Sequence, residues 1–133
     1  MPEPIWLSLE SVILFNKIIC QRDGNTHAVP MPLMVQSAVD APINHWHYDG
    51  ADDVILLAAM LAHRIAKNHG FFDANKRTAF TSMVTFLALN KVATYLPSER
   101  ENTKAMVALE TEAMALNDFA GWLRERSVEL GAS

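Results

Sequence analysis

The sequence predicts an all-α protein with a central helix–loop–helix, and three observations carry that prediction. Apolar residues recur at helical spacing through most of the chain. No segment alternates apolar and polar residues as a half-buried strand does. Two strongly apolar stretches, residues 51–68 and 75–90, flank a short polar cluster, as two buried helices joined by a functional turn would. At 133 residues, half of them hydrophobic, the chain has the length of one domain, and residues 1–133 are expected to form a single one.

Taken in order, Ser8 is placed to cap a first helix whose stripe is Leu9, Val12, Ile13, Asn16 and Ile19. The turn formers of "RDGNTHAVPM", residues 22–31, end it. A short helix is expected from Pro32, a residue suited to a first turn, to about Ala41, followed by a loop "PINHWHYDG". Residues 51–68 put Val54, Leu57, Ala58, Leu61 and Ile65 on one stripe and Ile55, Leu56 and Met60 on the other side, the pattern of a buried helix. Residues 75–90 repeat it through Ala79, Phe80, Met83, Val84, Phe86 and Leu87. "KVATYLP" is expected to be briefly extended. "SERE", Ser98 to Glu101, is a capping box opening a helix to about Met114, and Asn117 or Asp118 is a cap for a last helix, "DFAGWLRERSVEL".

The charge balance excludes some functions. A net charge of −4 gives no electrostatic footing for nucleic-acid binding, and none is expected. The single cysteine, Cys20, rules out an internal disulfide and fits a reducing compartment. The segment "MPEPIWLSLE" has acids and prolines where a signal peptide carries cations, and the longest apolar run, Val54 to Ala62, falls well short of the roughly 20 residues that span a bilayer. The expectation is a cytoplasmic protein with no membrane partner.

The polar cluster is "HGFFDANKRTAF", His69 to Phe80. A plain corner explains part of it: Gly70 ends one helix, Asp73 or Asn75 caps the next, and the phenylalanines plug the core. Lys76 and Arg77 do not fit that explanation. The first turn of a helix presents unpaired N–H groups and partial positive charge, so adjacent cations are unfavourable there unless an anion joins them. A helix N-terminus reached through a tight turn is a ready phosphate site. His69 can then take a proton from an attacking hydroxyl, Asp73 can hold a magnesium ion, and Asn75 with its neighbouring amides can bind phosphate oxygens. On the residues alone, the corner and the phosphate site both stay open.

"HGFFDANKRTA" resembles the signature of the Fic/Doc family, H-x-F-x-(D/E)-(A/G)-N-(G/K)-R, without a gap from His69 through Arg77. "PLMVQSAVDAP" and "LNDFAGWLRER" resemble, more loosely, the segments before and after that family's core. The resemblance implies a compact bundle of about six helices using ATP and Mg2+. It makes His69 the catalytic base, Asp73 the metal ligand, Ala74, Asn75, Lys76 and Arg77 the phosphate binders, and Phe71 the loop's anchor in the core.

AMP-transferring members usually carry glycine after the asparagine and a second arginine three residues beyond the first; here those positions are Lys76 and Phe80. Both departures resemble the Doc (death-on-curing) branch, whose members are kinase-like toxins acting on translation elongation factor Tu. The implied function is phosphoryl transfer from ATP to a protein hydroxyl, with AMP transfer and a non-catalytic nucleotide-binding helical module as alternatives. No match to the family's Ser/Thr-x-x-x-Glu-Gly/Asn inhibitory motif is found, so a separate antitoxin is the implied partner. The family's target-binding flap corresponds here to Gly24, Asn25, Thr26, His27, Ala28 and Val29, which an ordinary connector explains equally well.

Other polar residues have simpler explanations. "HWHYD", His45 to Asp49, offers two imidazoles and a carboxylate, but lacks further ligands at recognisable spacing and is expected to be a solvated loop beside the active site. His63 is expected to be a hydrogen-bonded core histidine, and Phe119, Trp122 and Leu123 core residues. The run Arg124, Glu125, Arg126 is expected to be a solvated helix face.

Overall fold

The computed structural model describes residues 2–95 and 98–131. Among these residues six helices follow one another, with a two-stranded ribbon formed by β1 (Val92–Thr94) and β2 (Ser127–Glu129). The all-α prediction holds.

Helix α1 (Leu9–Asp23) begins where Ser8 accepts a hydrogen bond from the Ser11 N–H and ends at Gly24, whose φ of 73° no β-carbon hinders. Helix α3 (Val54–Asn68) is capped by Asp53, which accepts from the N–H groups of Ile55 and Leu56. It is buried on most of its circumference and packs against α2 (Pro32–Asp49), α4 (Asn75–Leu89), α5 (Glu99–Glu110) and α6 (Leu116–Glu125). Its apolar faces therefore form the centre of the core.

Several expectations need correction. Helix α2 runs over Pro32–Asp49, so "PINHWHYDG" is helical up to Asp49 and is not a loop. Pro42 looks like a breaker, yet it continues the buried stripe Val35, Ala38, Val39, and one turn later Trp46 packs edge-on against Trp6, their centroids 6.4 Å apart. That burial offsets the backbone hydrogen bond that proline cannot donate. The helix ends instead at Gly50, with φ 68°.

Helix α5 does open at Ser98, whose hydroxyl accepts from the Glu101 N–H. It closes at Glu110 rather than Met114, because the Thr111 hydroxyl takes the Val107 carbonyl and Glu112 turns left-handed at φ 63°. Helix α6 starts from Ala115, not from a side-chain cap at Asn117 or Asp118, both of which are exposed.

The last expected helix also stops early. Ser127 Oγ donates to the Leu123 carbonyl, and the chain then pairs antiparallel with β1, Ala93 opposite Val128. The expected extended run supplies β1; Leu96 and Pro97, within it, lie outside the described residues. Phe119 and Leu123 are buried, but Trp122 is only half-buried and carries the Arg126 guanidinium 4.5 Å above its ring. Arg124 pairs with Asp53, so this basic run is not a purely solvated face.

At the far end of α4, the Asn90 side chain accepts from the Ile5 N–H and donates to the Ile5 carbonyl. Beside it, the Leu130 N–H donates to the Lys91 carbonyl at 2.7 Å. Both flanks of the chain are thus fastened to the same corner.

Candidate active site

The corner between α3 and α4 is built from two left-handed residues. Helix α3 stops at His69, with φ 49°, not at Gly70 as expected. Gly70 serves a different need: a β-carbon there would lie 2.4 Å from Val35 Cγ2 and 3.1 Å from the Met31 carbonyl oxygen. Only glycine lets the loop approach the start of α2 this closely. Phe71 then enters the core, 3% exposed, while Phe72 points out, 64% exposed.

Ala74, at φ 63°, precedes α4, so neither Asp73 nor Asn75 is its side-chain cap. Asn75 instead clasps the loop from within, Nδ2 donating to the Phe71 carbonyl at 2.9 Å and Oδ1 accepting from the Phe71 N–H at 3.1 Å. Its side chain shapes the turn, and what it can offer an anion is its backbone N–H. The first intrahelical acceptor is the Ala74 carbonyl, bonded by the Thr78 N–H, which leaves the preceding N–H groups at the helix mouth.

This corner opens into a cleft of about 750 Å³. His69, Asp73, Ala74, Asn75, Lys76 and Arg77 all line it, and so does Phe80. The opposite wall comes from α5 through Ser98, Asn102 and Met106. The residues assigned to catalysis, metal and phosphate therefore share one cavity, while Phe71 lies behind it.

Carboxylates from distant elements stand beside both cations. Lys76 Nζ is 3.3 Å from Glu110 Oε2, and the same oxygen is 3.9 Å from Nε2 of His69, whose imidazole is 62% exposed. Arg77 pairs with Asp23 and donates to Asn25 Oδ1 at 2.9 Å. Asp23 also receives the Arg22 guanidinium, and these two arginines, Arg22 foremost, hold its carboxyl well below the usual range. An arriving phosphate has to share or displace these partners.

The flap segment is fastened along the loop. The Thr26 N–H donates to Asp73 Oδ2 at 2.9 Å, the Phe72 N–H to the Ala28 carbonyl and the Met31 N–H to the Gly70 carbonyl. His27 reaches inward to Asn16. Gly24, Asn25 and Thr26 are exposed; Ala28 and Val29 are half-buried.

No group of three or more His, Cys, Asp or Glu arranged for a metal occurs among the described residues. Magnesium asks for less, one or two carboxylates completed by water and substrate phosphates, and Asp73 at the cleft wall satisfies that requirement.

The expected solvated loop "HWHYD" is helical and away from this cleft. His45 bonds Asp49 at 2.7 Å across one turn of α2, and both border a separate groove of about 570 Å³ with Arg64. His63 is half-buried, 3.7 Å from Glu112, and burial pushes its imidazole pKa down. Sequence reasoning missed Glu110, Asp23 and the α5 wall. Nothing local marks Glu110, whereas Asn16, polar within an apolar stripe, was a visible signal.

A helix mouth and a tight loop thus gather an imidazole, a carboxylate and two cations into one cleft. The sequence profile of the Fic/DOC family matches residues 6–87, more than half of the chain, and the chain belongs to that family. Its members are typically transferases that move AMP or a phosphoryl group onto proteins, generally with ATP as the substrate. No curated protein matches the chain. No helix of the described residues is long and apolar enough to cross a membrane.

Proposed function

We propose that this protein is a Doc-like toxin of a toxin–antitoxin pair that phosphorylates a hydroxyl side chain of a protein target, elongation factor Tu being the target implied by the resemblance. The target hydroxyl gives its proton to His69 while its oxygen forms the bond to the γ-phosphorus of ATP and the bond to the ADP oxygen breaks. Lys76, Arg77 and the N–H groups at the mouth of α4 neutralise charge on the transferring group. Asp73 would hold Mg2+, which supplies charge neutralisation across the phosphate oxygens. The flap, running beside the loop that carries Asp73, would seat the target segment as an added strand. An antitoxin helix would restrain the enzyme from outside.

Phe80 is the observation that carries the choice of chemistry. It lines the cleft one turn beyond Lys76, at the position where AMP-transferring relatives carry a second arginine. AMP transfer requires the α-phosphorus at His69 and the β- and γ-phosphates deeper along α4, where the phenyl ring would leave their charge unmatched. With ATP reversed, only the γ-phosphate needs the cradle. Incubation with bacterial lysate and γ- or α-labelled ATP in parallel tests this: label from the γ-phosphate alone is expected on the target. Label from the α-phosphate would replace the kinase assignment with AMP transfer. Expression without an antitoxin should arrest bacterial growth, and normal growth in several hosts with active protein present would count against a toxin.

A further inference from the structure

One fully buried polar side chain bonded to the motif comes from outside it. Asn16 is 0% exposed on the inner face of α1, between Val12 and Cys20. A core-filling role there needs only an apolar side chain, since burying an amide is costly unless every polar atom is paired. Here every one is. Nδ2 donates to the Asp73 carbonyl at 2.8 Å and to Thr78 Oγ1 at 3.0 Å. Oδ1 accepts from His27 Nδ1 at 2.7 Å and from the Cys20 thiol at 3.6 Å. Both donors and both lone pairs of the amide are used. The Asp73 carbonyl can only accept, which fixes the NH2 group toward the loop.

That contact has a geometric consequence. No peptide bond described is cis, and in a trans peptide the C=O and N–H point in opposite directions. Drawing the Asp73 carbonyl inward toward α1 turns the Ala74 N–H outward, and Ala74 lines the cleft. Ala74 is left-handed at φ 63° and the helix begins at Asn75, the kind of turn in which successive N–H groups can face one side.

We propose that Asn16 is a positioning residue for the phosphate cradle: through the Asp73 carbonyl it holds the peptide whose N–H faces the transferring phosphate. The inference rests on the proposed function only in taking the cleft as a phosphate site. Through His27 the same amide also ties the flap to that peptide.

The test compares Asn16→Leu with Thr78→Val, which removes one partner of the amide but keeps its bond to Asp73. Asn16→Asp, of the same size but without the donor, serves where Asn16→Leu does not fold. Binding of inorganic tripolyphosphate is read by calorimetry and by the Ala74 amide resonance of the unaltered protein. Transfer of γ-label is read as kcat and KM separately. Asn16→Leu should weaken tripolyphosphate binding about tenfold and lower kcat roughly 10²-fold, in the range for loss of one oxyanion donor. Thr78→Val, matched for thermal stability, should leave both within about threefold of the unaltered protein (a margin set by the usual net worth of one hydrogen bond).

On tripolyphosphate addition the Ala74 amide resonance should move. Equal losses in the two variants, or an Ala74 resonance unmoved at saturating tripolyphosphate, would overturn the inference. Absence of tripolyphosphate binding would overturn it as well. Binding with the expected Ala74 shift but no label transfer would sink the kinase reading and leave Asn16's role standing.

Discussion

Glu110 Oε2 lies 3.3 Å from Lys76 Nζ, so a cation at the mouth of α4 is already partnered from the end of α5. The pair is part-buried, with the carboxylate 18% and the ammonium 42% exposed. On the proposed function, phosphate and carboxylate would compete for one ammonium. Glu110→Gln should lower the KM for ATP by about two- to fivefold, the scale of a partly exposed ion pair, and the gain should shrink at high salt. An unchanged KM would mean that Lys76 does not meet the nucleotide.

The imidazole of His69 is well exposed and makes no tight contact with the core, so its removal should touch chemistry and not folding. His69→Ala is expected to lower transfer by about 10²–10⁴-fold with the melting temperature nearly unchanged. A variant with ordinary activity would remove His69 from the mechanism.

Two glycines should respond in opposite directions. At Gly70 a methyl group meets Val35 and backbone atoms of α2, so Gly70→Ala is expected to destabilise by about 1–3 kcal/mol. At Gly121, inside α6, nothing lies within 4 Å, and Gly121→Ala should stabilise by about 0.5–1 kcal/mol. Phe71→Ala, which empties a buried ring site, should cost about 3–5 kcal/mol. Denaturant unfolding measures all three, and a Phe71→Ala protein that unfolds like the original would remove the ring's anchoring role.

His63 gives stability a pH dependence. Burial, the largest effect on it, lowers its pKa in the folded state, with Glu112 pulling the other way. The unfolded chain then binds a proton more readily than the folded one. This contribution is intact above about pH 6.5 and is lost as pH falls through the folded-state value. Glu112 is itself held low by Lys67 and enters only below about pH 4.3. Between pH 7.5 and 5 the melting temperature should fall less for His63→Leu than for the unaltered protein; parallel curves would contradict this.

The helices legible in the sequence are those whose burial is periodic and whose caps are local. Ser8 and Ser98 name the starts of α1 and α5 because each bonds a backbone N–H three residues on. The extension of α2 was hidden because Pro42 forfeits a local hydrogen bond and recovers its stability from tertiary burial, which no local pattern records. Strand β2 was hidden because "RSVEL" continues a helical pattern, and only pairing with β1 makes it extended. The cleft divides in the same way. Residues 69 to 77 are contiguous, so their convergence could be read directly. Glu110, Asp23 and Asn16 reach them from other helices, and their proximity exists only after folding.

The corner at Asn90 and Lys91 has a practical consequence. Ile5 and Leu130 are both hydrogen-bonded there, at the opposite end of α4 from the cleft. A helix of 15 residues at about 1.5 Å per residue separates that corner from Asn75 by roughly 22 Å. A substitution that loosens this corner, at Ile5 or Asn90, therefore acts on the foot of α4 and reaches the cleft only along the length of that helix.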